Sequence, residues 1–314
     1  MGIKGKTSFV AVAVLTLLIG LGCSSALAYR VTAQVINKSE PEKKIEGLPL
    51  TLYLLRQREG NLEVLKKLEG KTDSEGIYTF ILEEKEKGTY LGVDTVFRGT
   101  SYSTPLQAVG DREEYKLAIP VYEISDSGDL VHIKERRIFV RGIQDGEILL
   151  SEIITISNKG NKTYVGRFND SSDMHEVVRL GMPGGYERPS ISRVTRDSVV
   201  LRGNGIVINE RIKPGEKTIL LSYSLRTDIG RLELRYPVDT PYEKFSLLLP
   251  EDIDWNIKTI RLEKKKDVAL GGVNYRQWEG TDIKKGAAVI VRLKSPEQGG
   301  IVGINELFIL GGLV

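Results

Sequence analysis

Beyond residue 28 the chain is built of short runs in which apolar and polar residues alternate, and helical periodicity is hard to find. A period of two places every second side chain on one face of an extended strand, so this pattern restricts the chain to sheet structure. Val31, Ala33 and Val35 share a face in YRVTAQVIN, as do Leu50, Leu52 and Leu54 in LPLTLYLL. KTDSEGIYTF (71–80) shows how the runs are joined. Asp73 and Ser74 carry turn-forming side chains, Gly76 tolerates a positive φ, and Tyr78 and Phe80 then alternate with Ile77 and Thr79. The spacing predicts a turn feeding a strand.

The first residues follow another rule. Lys4 and Lys6 precede an apolar run from Phe9 to Leu21, and small residues follow, which is the pattern of a secretory signal over 1–28. Two processing sites compete. Ala26-Leu27-Ala28 would release a chain starting at Tyr29, whereas Gly22-Cys23-Ser24 resembles the end of a bacterial lipobox with Cys23 as the acylated residue; Gly20 stands where a lipobox usually has Leu. The chain has a single cysteine, so an internal disulfide is ruled out and stability must come from apolar cores and ion pairs. At 314 residues the chain is long enough for that. Its 45 Lys and Arg are interspersed with 42 Asp and Glu, which argues against nucleic acid as a partner.

Residues 30–120 resemble the carboxypeptidase-regulatory-like, or prealbumin-like, β-sandwich modules. The resemblance is carried by Leu50 and Leu52, then Thr72, Asp73, Gly76, Tyr78 and Phe80, then Gly88 and Tyr90. It implies a sandwich over 29–122 without catalytic residues of its own. REEYKLAIPV reads as its last strand, and the polar SDSGD (125–129) as the connector. Over 130–296 at least eight further runs alternate between turns at Asn158-Lys159-Gly160, Gly203-Asn204-Gly205 and Lys213-Pro214-Gly215. NKTYVG, LGMPGG, KPGEKTILLSYSL and YPVDTPYEKFSLLLPED loosely resemble the Ig-like part of bacterial exported proteins that begin with a prealbumin-like module. The expected fold is therefore all-β: a prealbumin-like sandwich followed by one large or two small Ig-like antiparallel sandwiches, the latter split near 227–230. The last stretch, 297–314, is an apolar tail containing Asn305 and Glu306. It reads as a final strand or remnant ahead of a membrane-associating segment, since a carboxylate is costly in lipid.

Chemistry-bearing patterns are sparse. His132 and His175 are the only histidines, and H-E-x-x-H and C-x-x-C motifs do not occur, so neither a metal nor a cofactor is expected. Ser171, Ser172, Asp173 and His175 assemble a triad only on paper, because neighbouring strand residues point to opposite faces. NDSSD (169–173) has oxygen ligands but no closing Glu of a calcium loop, and reads as a solvated loop. GMPGGYERP (181–189) lacks the strand-to-helix setting of a phosphate cradle and reads as a long loop. Its Tyr186 and Arg188 are residue types that interfaces favour, which makes it the first choice for partner contact. TAQVIN and VFRGTSYSTP are candidate sheet edges for strand addition, and Trp255 and Trp278 are expected in sandwich packing. The functional expectation is an exported, non-catalytic binding or structural protein of the cell envelope with a protein or carbohydrate partner, reaching the membrane through Cys23 or the tail. The alternatives are a carbohydrate-active or peptidase-associated enzyme with its site in the second half, and a membrane-complex subunit.

Overall fold

The computed structural model describes residues 28–295 except 84, 145, 171–172 and 227–229. Within them the chain is all-β, several small, mostly antiparallel sheets consistent with sandwich-type domains, broken by one short 3-10 turn at Arg196–Ser198. No helix among these residues is long and apolar enough to cross a membrane. The signal segment, Cys23, Ser171, Ser172, the proposed split at 227–230 for the most part, and the C-terminal tail lie outside the described residues.

The first eight strands are β1 (Tyr29–Asn37), β2 (Pro49–Arg58), β3 (Asn61–Lys71), β4 (Ile77–Leu82), β5 (Thr89–Phe97), β6 (Thr100–Ser103), β7 (Gln107–Ala108) and β8 (Glu114–Val121). They form two sheets, ordered β4-β1-β8 and β3-β2-β5-β6, with β7 also on β5. The alternating side chains of each meet between them: Val31, Ala33, Leu117 and Ile119 from one sheet, Leu50, Leu52, Leu91 and Val93 from the other. The turn before β4 forms as its sequence predicts. The Asp73 carboxylate accepts the N–H groups of Glu75 and Ile77, both at 2.9 Å, and Gly76 has φ +78°. Three features depart from the sequence reading. β3 is a full strand in a stretch too charged to show alternation, because it is an edge strand with most of its residues exposed. TAQVIN is not an edge, since β1 is flanked on both sides. And β8 pairs with β1 in parallel, through a connection that crosses between the sheets.

The remaining strands are β9 (Ile124–Ser125), β10 (Val131–Gln144), β11 (Glu147–Asn158), β12 (Thr163–Tyr164), β13 (Arg167–Asn169), β14 (Met174–Glu176), β15 (Val178–Gly181), β16 (Tyr186–Ser192), β17 (Val199–Arg202), β18 (Gly205–Ile208), β19 (Gly215–Arg226), β20 (Arg231–Pro237), β21 (Tyr242–Pro250), β22 (Asn256–Ile260), β23 (Glu263–Lys264), β24 (Val268–Leu270), β25 (Val273–Ile283) and β26 (Ala288–Lys294). An eight-stranded sheet ordered β16-β19-β11-β10-β21-β25-β23, with β24 on β25, turns its inner face to the sheets β15-β18-β17 and β20-β26-β22. One contiguous apolar cluster from Val131 to Leu293 fills the space, and Trp255 and Trp278 are buried in it. Here too the pairing is not wholly antiparallel: β10 runs parallel to β21.

The two cores are pinned together where SDSGD begins. β9 pairs in parallel with β12, the Thr163 N–H donates to Glu123 O at 2.7 Å, and the Tyr102 hydroxyl shares a 2.8 Å hydrogen bond with the fully buried Thr163 hydroxyl. Arg211 donates to Thr100 Oγ1 at 3.0 Å, and the Lys213 ammonium stands 4.8 Å above the Tyr102 ring. The connector is thus a docked seam and not a free tether.

Candidate functional site

On the outer face of the eight-stranded sheet, β11 and β19 lie side by side with Leu149 opposite Ser224 and Ser151 opposite Ser222. Each flanking strand is irregular at this level. On β10 the register slips between Val140 and Gly142, and on β16 between Glu187 and Ser190. A bulge leaves its extra residue out of the ladder and re-aims its side chain. The residues so released are Arg141 on one side and Arg188 on the other, the latter with φ +50°.

Both arginines line the same open depression of about 340 Å³, together with Leu149, Ser151, Ser222 and Ser224. Leu150 and Tyr223, whose side chains turn into the core, complete its floor. Arg188 Nη2 donates to Ser224 Oγ at 2.8 Å and also meets the Glu147 carboxylate. Arg141 is exposed, and among the described residues no acceptor engages it. The same holds for the hydroxyls of Ser151 and Ser222. Such a set offers fixed positive charge and hydroxyl donors over an apolar patch.

Directly beneath lies an ion pair sealed from solvent. Arg136 Nε donates to Glu152 Oε2 at 2.8 Å and its Nη2 to Glu152 Oε1 at 3.1 Å, with both side chains 0% exposed. The remaining donors are met by Gly181 O at 2.8 Å, the Tyr242 hydroxyl at 3.0 Å and Met182 Sδ at 3.5 Å. The guanidinium also faces the Tyr236 ring, 4.8 Å from its centroid. Tyr223 donates to Glu152 Oε1 at 2.6 Å and shares a 2.8 Å bond with the Tyr236 hydroxyl. Burial alone would disfavour the charged guanidinium, but Glu152 and the surrounding tyrosines outweigh it and hold the Arg136 pKa well above its usual value. Burial, reinforced by Glu152, pushes Tyr223 and Tyr236 up; burial also raises Tyr242, against the pull of Arg136. The Arg136 and Glu152 side chains, fully buried, are out of a solute's reach, and the network around them stiffens the strands that carry the depression. Neither residue stood out in the sequence, where VHIKERRIFVRG reads simply as one more strand. The signal was present: Arg136 keeps step with Ile138 and Val140, and Glu152 with Leu150 and Ile154, all buried.

Of Tyr186 and Arg188, both singled out in the sequence, Arg188 lines the depression and Tyr186 does not, and the segment is not a long loop: from Tyr186 onward it is the edge strand β16. Tyr186 packs edge-on against Tyr223 at 6.3 Å, on the core side. The histidines are not brought together. His132 on β10 lies 2.9 Å from Glu243, which Lys159 also contacts, whereas His175 on β14 stacks edge-on with Phe168 at 5.4 Å. Asp173 sits in the turn before β14 with φ +50°. Among the described residues no group of three or more His, Cys, Asp and Glu side chains could hold a metal ion. A second hollow of about 440 Å³ borders β8, between Thr104–Ala108 and Lys116–Ala118.

No protein-family model matches the sequence, and no curated protein matches it either. Some solved structures match it at low similarity. An M1 zinc metallopeptidase from Deinococcus radiodurans is 8% identical with TM-score 0.31, covering 52% of this chain and 42% of that one. A putative protease from Parabacteroides distasonis is 11% identical with TM-score 0.31, covering 54% and 41%. The major plantain pollen allergen Pla l 1 is 13% identical with TM-score 0.20, covering 30% of this chain and 91% of that one. The chain thus spans less than half the length of the metallopeptidase and protease structures, and with identities and TM-scores this low none of the three assigns it a family or an activity.

Proposed function

We propose that this chain is an exported, non-catalytic binding or structural protein of the cell envelope, a prealbumin-like β-sandwich joined to an Ig-like one. In this reading it meets its protein or carbohydrate partner through the outer face of the eight-stranded sheet. The observation that carries the proposal is the open depression between Arg141 and Arg188, whose lining guanidinium and hydroxyl groups present hydrogen-bond donors over an apolar patch. Such a surface is suited to holding a partner. The docked seam between the cores adds to this, because it presents the face from a stiff support. Export is supported by Lys4, Lys6 and the apolar run that follows them.

The test has two parts. The mature protein is isolated from cells and the mass of its N-terminus measured; a start at Tyr29 or a lipid on Cys23 supports export, and an uncleaved first residue overturns it. Purified protein is then sedimented with isolated envelope material, wild type beside an Arg141→Gln, Arg188→Gln double variant. Equal sedimentation of the two would remove this face from the contact surface.

A further inference from the structure

Resting on that reading of the outer face, we infer that the depression is a binding site for an oxyanion, a phosphate, sulfate or carboxylate group borne by the partner. Two bulges on strands that are not neighbours aim one arginine each at a single place. β16 and β10 are separated by β19 and β11, a span of about 14 Å at the usual strand spacing, so the guanidinium groups approach over the central pair from opposite sides. Between them Ser151 and Ser222 stand across from each other in register, their hydroxyls unengaged among the described residues. Arg188 is already anchored by Ser224 and Glu147 and leaves further donors of its planar fork for a ligand. Arg141 brings the positive charge that no described protein group neutralises. Planar or tetrahedral oxyanions match this arrangement, because guanidinium groups bind them through paired charge-assisted hydrogen bonds and the serines supply the remaining donors. An unmodified sugar has no charge to place against Arg141. Among the described residues the carboxylates beside the depression, Glu147 and Glu187, are already held by Arg188 and Arg226, which leaves none free for a cation.

The experiment is calorimetric titration of the purified mature protein at low ionic strength with inorganic phosphate, inorganic sulfate or acetate, chloride being the reference. Saturable binding of at least one of the three is expected. Arg141→Gln should weaken it by about tenfold, the loss of one charge-assisted contact, while Arg292→Gln, on another sheet and paired with Glu233, leaves it unchanged. Because Arg141 is exposed and unengaged, its variant should keep the wild-type urea midpoint, so weakened binding will not reflect unfolding. Phosphate binding should strengthen as pH is raised through neutrality and the ion loses its second proton, whereas sulfate binding stays level; acetate binding as tight as phosphate assigns the ligand to a carboxylate. Absence of saturable binding by all three, or equal weakening in the Arg292→Gln variant, overturns the inference. Envelope binding that persists in that case would leave the broader functional reading standing.

Discussion

Arg136 and Glu152 face each other diagonally across β10 and β11, joined by hydrogen bonds of 2.8 and 3.1 Å with no water-exposed atom on either side chain. A pair of this kind contributes little net stability if both partners are exchanged for apolar residues, but removing one strands the other without solvent. Glu152→Leu is therefore expected to cost about 3–5 kcal/mol, and Arg136→Met, Glu152→Leu together to regain most of it or exceed wild type. Urea unfolding of both variants gives the comparison; a double variant no better than the single would contradict the account.

Gly181 supports that pair from the side, its carbonyl accepting from Arg136. A Cβ there would lie 2.1 Å from Pro237 O, a backbone atom that cannot swing aside. Gly181→Ala should lose about 1–3 kcal/mol through forced separation of β15 and β20, whereas Gly184→Ala, with open space around it, should be nearly silent.

The seam between the cores makes its own prediction. Tyr102→Phe leaves the fully buried Thr163 hydroxyl without its 2.8 Å partner, at a cost of about 1–3 kcal/mol. Calorimetry should then show the two cores beginning to melt apart, and protease cleavage at 125–129 should quicken.

Glu123 makes the seam acid-sensitive. Burial works against its charge, but Arg98 at 3.1 Å and Lys43 at 3.4 Å outweigh this and hold its pKa below the ordinary 4.5. A carboxylate depressed in the folded state contributes stability that is full above 4.5 and is lost as pH falls through the lower folded value. In Glu123→Gln this part of the acid slope should vanish, which acid titration of the unfolding midpoint measures. A slope unchanged from wild type would clear Glu123 of the effect.

Tyr29 predicts the opposite limb. Its buried hydroxyl has no hydrogen-bond partner among the described residues, and burial first, then Tyr115 and Glu86, push its pKa up to about 12. The unfolded tyrosine loses its proton nearer 10.0, so the folded state binds more protons between the two values and is destabilised as pH rises through them. Tyr29→Phe should remove this alkaline loss and, by deleting an unpaired buried hydroxyl, gain about 1 kcal/mol at neutral pH. Ultraviolet titration and urea unfolding read the two effects.

The parts of the fold readable from sequence are those fixed by neighbours along the chain. The Asp73 turn is local, since its carboxylate bonds to N–H groups two and four residues on, and the amphipathic strands β1, β2 and β8 carry their burial in their own alternation. β3 escaped notice because an exposed edge need not alternate, and the parallel pairings of β1 with β8 and β10 with β21 depend on where distant strands dock. At the site, Arg188 was visible as a residue type suited to contact. Arg141 was not, because its role depends on a register slip opposite residues that are themselves far along the chain.

The placement of β1 constrains how a chain emerging amino end first can fold. This first strand is the middle of its sheet, waiting for β4 on one side and β8 on the other. A polypeptide threaded outward from its amino end would hold Val31, Ala33 and Val35 uncovered until Val121 had followed, an interval in which sticky backbone and aliphatic surface face foreign chains. Shielding of this strand until its partners emerge is thus a demand written into the topology.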